Sequence, residues 1–88
     1  MKYHVELSKT AEKSLSKMDK PIANTIIEWI EDNLEGCENP RLYGKSLVGN
    51  HSGKWRYRVG DYRIIADIQD ECVLILILDA EHRSKVYR

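Results

Sequence analysis

The chain has 88 residues, 42% hydrophobic and 32% charged, and its fourteen basic and fourteen acidic side chains balance to zero. That length allows one small domain, residues 1–88, of ordinary soluble globular composition. No apolar run approaches the ~20 residues of a membrane-spanning helix. Met1 opens directly onto a strand pattern, with no signal peptide ahead of it. Cys37 and Cys72 have no partner at metal-ligand or redox spacing, so they read as reduced thiols of a cytosolic protein.

Residues 2–7 are predicted as a first strand, with Tyr3, Val5 and Leu7 alternating with Lys2, His4 and Glu6. Ser8 is a predicted N-cap for a short helix carrying Ala11, Leu15 and Met18 at helical spacing, with Lys9, Lys13 and Lys17 outward. Asp19 is the expected cap of a second helix, with Pro21 in its first turn. Its apolar stripe is Ile22, Ile26, Trp29 and Ile30, widened by Ala23, Ile27 and Leu34, and its other side is acidic. Trp29 reads as a core anchor, and Gly36 as the C′ stop. The short link between the helices makes them an antiparallel hairpin.

A connector follows from Cys37 to Ser52, expected to be pinned to the body by Leu42, Tyr43, Leu47 and Val48, with Lys45 and His51 exposed. Then come two strands joined at Gly60-Asp61, where a glycine opening a two-residue loop suits a type II′ turn. That turn sets a register in which Val59 faces Tyr62, Arg58 faces Arg63, Tyr57 faces Ile64, Arg56 faces Ile65 and Trp55 faces Ala66. Trp55, Tyr57, Val59, Tyr62, Ile64 and Ala66 share one face, a core. The other face carries Arg56, Arg58 and Arg63, with Lys54 opposite Asp67. The run from Glu71 to Asp79 is apolar throughout its middle and is expected inside the sheet, buried on both faces and antiparallel to its predecessor. In the tail, Arg83 and Tyr87 lie four apart, on one face if the segment turns helically.

Arg58 directly opposite Arg63 is a conflict, because like charges facing across a ladder destabilise it. A solvated polar face with arginines fanned apart would tolerate the pair. Alternatively, three guanidinium groups on one face suit a polyanion, above all phosphate. The charge distribution permits this on a neutral chain. Residues 1–40 hold five Lys and eight Asp/Glu, a balance of −3, whereas residues 41–88 hold nine Lys/Arg and six Asp/Glu, a balance of +3.

The motifs Leu47-x-Gly49, Gly53-x-Trp55-Arg56-Tyr57-Arg58-Val59-Gly60-Asp61-Tyr62-Arg63-Ile64 and His82-Arg83-x-x-Val86-Tyr87 resemble the RelE/ParE superfamily of toxins from type II toxin–antitoxin modules, over essentially the whole chain. The ending looks like the RelE branch. The resemblance implies an α+β fold with an N-terminal strand, a helical hairpin, and a three-stranded antiparallel meander forming one sheet with helices on one face. It implies a cytoplasmic enzyme, a ribosome-dependent mRNA endonuclease that cuts in the A site without metal or other cofactor. It also implies a cognate antitoxin as partner, a possible toxin–antitoxin hetero-oligomer, and no membrane.

Carried over residue by residue, the catalytic set is Arg63, Arg83, Tyr87 and His82, and the RNA-binding set is Arg56, Arg58 and Lys54. In this mechanism a ribose 2′-OH attacks the adjacent phosphorus, which needs a proton acceptor, cations for the phosphorane charge and an acid for the leaving oxygen. His82 is the one tail group whose ordinary titration range suits proton transfer near neutrality. The chain departs from the family in placing Asp79-Ala80-Glu81 before the histidine, where a glycine is usual. The alternatives are a non-catalytic ParE-like gyrase inhibitor and an inactive antitoxin-binding relative.

Overall fold

The computed structural model describes residues 1–47 and 53–85. In chain order the elements are β1 (His4–Leu7), α1 (Lys9–Ser16), α2 (Lys20–Asn33), β2 (Lys45–Ser46), β3 (Trp55–Val59), β4 (Tyr62–Gln69) and β5 (Leu74–His82), followed by a 3₁₀ turn at Arg83–Lys85. They form one five-stranded sheet in the order β1-β5-β4-β3-β2, antiparallel except for the parallel pair β1 and β5. The expected α+β arrangement is therefore present, with one strand more than the sequence shows. β2 is only two residues long, too short for any alternation to be visible, yet it pairs Lys45 with Arg56 and Ser46 with Trp55.

Ser8 joins three elements. Its backbone N–H donates to the Ile77 carbonyl (2.9 Å), extending the β1–β5 ladder. Its hydroxyl accepts from the Ala11 N–H (3.0 Å), capping α1, and donates to the Leu78 carbonyl (2.9 Å). Asp19 occupies the N-cap of α2, but its side chain makes no capping bond; the cap works through the Asp19 carbonyl, which accepts from Ile22 and Ala23 N–H (3.0 Å each). β1 starts at His4 rather than Lys2 because the Tyr3 backbone pairs with the end of α2, exchanging bonds with Gly36 and Cys37.

The core lies between the helices and one face of the sheet. Ala11, Leu15, Ile26, Ile30 and Leu34 meet Tyr57, Ile64, Ala66, Ile75 and Ile77 there. Trp29 packs against this cluster as expected, tilted on Tyr57 at 5.6 Å. The Tyr57 ring is fully buried, its hydroxyl donates to the Pro40 carbonyl, and burial pushes its phenol well above the ordinary range. Three expectations are corrected. Ile22 and Ile27 are 37% and 36% exposed, because the buried stripe of α2 narrows to Ile26, Ile30 and Leu34. β5 is an interior strand but is buried on one face only: Ile75 and Ile77 face the helices, while Leu74, Leu76 and Leu78 alternate with them and stay half-exposed on a sheet covered on one side. It also begins three residues later than expected, after a 3₁₀ turn at Asp70–Cys72, and runs on to His82. Among the described residues no helix is long and apolar enough to cross a membrane.

A polar clasp closes the sheet end opposite the β3–β4 turn. Arg41 donates two bonds to the Asp70 carboxylate (3.1 and 2.9 Å), and the Tyr3 hydroxyl donates a third (2.6 Å). These donors, Arg41 first, hold Asp70 below its ordinary carboxylate range. A carboxylate depressed in the folded state adds stability that is present above about pH 4 and is lost as pH falls through that range. Asp70→Asn is therefore expected to lower the urea midpoint at pH 7 and to flatten its decline between about pH 5 and 3. An unchanged acid limb in the variant would show that the clasp contributes nothing to folding.

Candidate functional site

The β3–β4 hairpin has the register that Gly60-Asp61 predicts. Val59 pairs with Tyr62, Arg58 with Arg63, Tyr57 with Ile64, Arg56 with Ile65 and Trp55 with Ala66. Gly60 has φ +59°, the left-handed conformation that favours glycine. Arg58 and Arg63 thus do face one another. β2 adds a second rung of like charge, Lys45 opposite Arg56. On the other side of β4, Arg63 stands opposite Glu81.

The tail is drawn to the hairpin by one backbone bond, from the Arg83 N–H to the Asp61 carbonyl (2.8 Å). The result is a small cleft of about 60 Å³ lined by Arg56, Arg58, Tyr62, Arg63 and Arg83. Four of the predicted site residues are brought together here, from three separate segments. None of the lining residues is a carboxylate, and among the described residues none of these four arginines has a carboxylate oxygen within 4 Å. The Arg63 Nε is buried without a hydrogen-bond partner. A buried guanidinium N–H lacking an acceptor is costly, and a phosphate oxygen in the cleft is an acceptor of the right charge.

Other predicted residues stand elsewhere. Tyr87 lies outside the described residues. Lys54 reaches Asp67 (3.5 Å) and does not line this cleft. His82 pairs with Tyr62 across the β4–β5 ladder, ring edge to ring face at 5.1 Å, and lines the grooves on the helix side rather than the arginine cleft. The Ser84 backbone N–H donates to His82 Nδ1 (3.1 Å), and the Ser84 hydroxyl lies 2.7 Å from the same nitrogen. A backbone N–H can only donate, so His82 Nδ1 is the acceptor of this bond. The two carboxylates of the Asp79-Ala80-Glu81 segment also stay clear of the cleft. Asp79 accepts from the Ser14 hydroxyl (2.6 Å) and from Ala80 N–H (2.7 Å), and Glu81 lines the groove beside α1.

Tyr62 was expected only in the core; it packs against the core and also walls the arginine cleft. Its position directly before Arg63, at the mouth of the turn, is the signal that pointed there. Leu42, 68% exposed, does not pin the connector, whereas Tyr43 does, its ring packed edge to face on Trp29 (5.8 Å) though 42% exposed. The Tyr43 carbonyl is also held by the Trp55 indole N–H (2.7 Å). Val48 and His51 lie outside the described residues.

The family model for the ParE toxin of type II toxin–antitoxin systems matches residues 5–87. This chain belongs to that family of toxins. Toxin RelG of Mycobacterium tuberculosis is 32% identical over all of this chain and 99% of its own length, and Toxin RelE of the same organism is 33% identical over 98% of this chain and 87% of its own. The toxin–antitoxin complex RelBE2 from M. tuberculosis superposes with a TM-score of 0.84 at 30% identity, over 96% of this chain and 94% of that one. The archaeal RelE–RelB complex from Pyrococcus horikoshii superposes at 0.71 and 28% identity, covering 97% and 99%. The isolated E. coli RelE toxin, at 0.72 and 21%, covering 97% and 90%, shares the fold.

The toxin's basic edge depends on Gly44. Its φ is +81°, and a Cβ there would lie 2.1 Å from the Arg56 carbonyl oxygen and 2.8 Å from Trp55 Nε1. Gly44→Ala is expected to destabilise the fold by about 2 kcal/mol or more, through backbone strain and loss of the β2–β3 rung. Chemical denaturation measures this; a cost below about 0.5 kcal/mol would show that the Tyr43–Lys45 segment is free to move away from β3.

Proposed function

We propose that this toxin is a metal-independent RNA endonuclease acting on mRNA in the ribosomal A site in the cytoplasm, and so an inhibitor of translation. The observation that carries this reading is the carboxylate-free cleft shared by Arg56, Arg58, Arg63 and Arg83, with the Arg63 Nε buried and unpartnered. In the reaction the substrate's 2′-OH loses its proton, its oxygen bonds to the adjacent phosphorus, and the bond to the 5′-oxygen breaks as that oxygen takes a proton. The products are a 2′,3′-cyclic phosphate and a 5′-hydroxyl end. Arg63 and Arg83 stabilise the extra charge of the phosphorane, and Arg56 and Arg58 hold the backbone. Tyr87 serves as acid, base or stacking partner in this reading. The position of His82 on the helix side, with Nδ1 committed to Ser84, supports a role in fixing the turn that presents Arg83 in preference to proton transfer at phosphorus. Lys54 contributes to long-range attraction of the RNA while paired with Asp67. A cognate antitoxin is the expected partner, since relatives of this fold are seen as toxin–antitoxin complexes.

One observation favours a second reading: the matching family model is named for ParE. On that reading the toxin binds DNA gyrase without chemistry of its own.

Purified toxin incubated with mRNA alone and on programmed ribosomes separates the two. A-site cleavage leaving cyclic-phosphate ends, on ribosomes only, is the expected result. Arg63→Ala and Arg83→Ala should each slow it by about 10²- to 10³-fold while retaining the fold. Growth arrest without cleavage, insensitive to both substitutions, would instead support the gyrase reading.

A further inference from the structure

A second cleft adjoins the first. It measures about 380 Å³, is lined by Trp29, Tyr43, Gly44, Lys45, Arg56 and Arg58, and shares the last two with the arginine cleft. Its aromatic wall is built on a fixed frame. The Trp55 indole holds the Tyr43 carbonyl, Gly44 lies against the Arg56 carbonyl with no room for a side chain, and Lys45 is paired to Arg56 in the sheet. The Tyr43 ring meets Trp29 edge to face at 5.8 Å, and Trp29 rests on the buried Tyr57. Tyr43 nevertheless remains 42% exposed. A large aromatic ring held this firmly and left open has a face available for stacking.

The chemistry around that ring selects the ligand. Three cations and no carboxylate line the cleft, so the ligand carries negative charge. A flat aromatic wall beside cations fits a nucleobase whose own phosphates lie on the guanidiniums. We propose that Tyr43, braced by Trp29, is a base-stacking subsite for a nucleotide flanking the phosphate held by Arg56, Arg58 and Arg63, and that Lys45 contacts the same strand. This rests on the RNA reading above and extends it to a binding residue outside the arginine set. These contacts already place the ring beside the cations, and stacking is tolerant of base identity.

The test uses ribosomes programmed with mRNA whose A-site codon carries 2′-deoxyribose, which cannot be cut, and 2-aminopurine at each codon position in turn. Wild-type toxin should change the fluorescence at one position on binding. Tyr43→Phe should keep that change, while Tyr43→Leu should abolish it and weaken binding roughly ten-fold. Thermal melts of both variants confirm that each is folded. Lys45→Ala should weaken binding and shallow its salt dependence while leaving the fluorescence change in place. If Tyr43→Leu leaves both signal and affinity unchanged while Arg58→Ala and Arg63→Ala abolish binding, the stacking subsite is overturned and the RNA reading stands. If the wild type gives no signal at any position and no binding, both fall together.

Discussion

The Arg58–Arg63 rung is the constraint around which this toxin is arranged. Two guanidiniums face each other across the β3–β4 ladder, and the next pair outward, Lys45 with Arg56, repeats the repulsion. Like charges opposed in a sheet work against it. The fold tolerates them because the opposite face of the same strands carries Tyr57, Ile64 and Ala66, each fully buried. Hydrophobic burial on the helix side thus holds in register a hairpin whose outer side pushes apart. Asp70 holds Arg41, Asp79 holds Ser14, and Glu35 accepts from the Val5 N–H, while Glu81, opposite Arg63 in the β4–β5 ladder, forms no ion pair with it within 4 Å among the described residues. Zero net charge and a strongly cationic cleft are compatible because the two signs are segregated in space.

How the site is assembled follows from backbone bonds. The hairpin turn supplies the Asp61 carbonyl, which takes the Arg83 N–H and so brings Arg83 to the other arginines. Ser84, next along, clamps His82 from its backbone. This corner holds the His82-Arg83 pair of the tail motif. Its histidine, however, faces the helices, beside Tyr62 and the rim of α2. The arginine beside it reaches the cleft. One residue step along a strand end separates the two faces, so adjacent letters of one motif serve different surfaces.

Much of this was legible in the sequence where a local rule had a single solution. Gly60-Asp61 admits one hairpin register, and from it the arginine face, its conflict and the Lys54–Asp67 pairing all follow. Ser8, directly after the strand pattern ends, is the cap of α1. What could not be read depended on contacts distant in sequence. β2 has two residues and no period, and it exists because Gly44 allows the chain to lie against β3. The half-exposure of Leu74 and Leu76 follows from helices covering only one face, which an unbroken apolar run does not reveal. Ile22 and Ile27 belong to the apolar pattern of α2 but flank its buried line, because α1 is only eight residues long and covers little of it. The side on which His82 falls depends on β5 running on past Asp79, three residues beyond the expected end of the strand.

The central claim is that the toxin sacrifices hairpin stability for a phosphate site, and stability itself tests it. The unfolding free energies of the wild type and Arg58→Thr should be measured in low salt, alone and with a short RNA 2′-O-methylated at every ribose. Alone, the variant should be the more stable by up to about 1 kcal/mol, because the opposed charge is gone. With RNA at about 100 times the wild-type Kd, the order should reverse, since ligand at that level adds about 2.7 kcal/mol to the protein that binds it. A variant that is less stable than the wild type without RNA, or a wild type that RNA does not stabilise, would contradict the account.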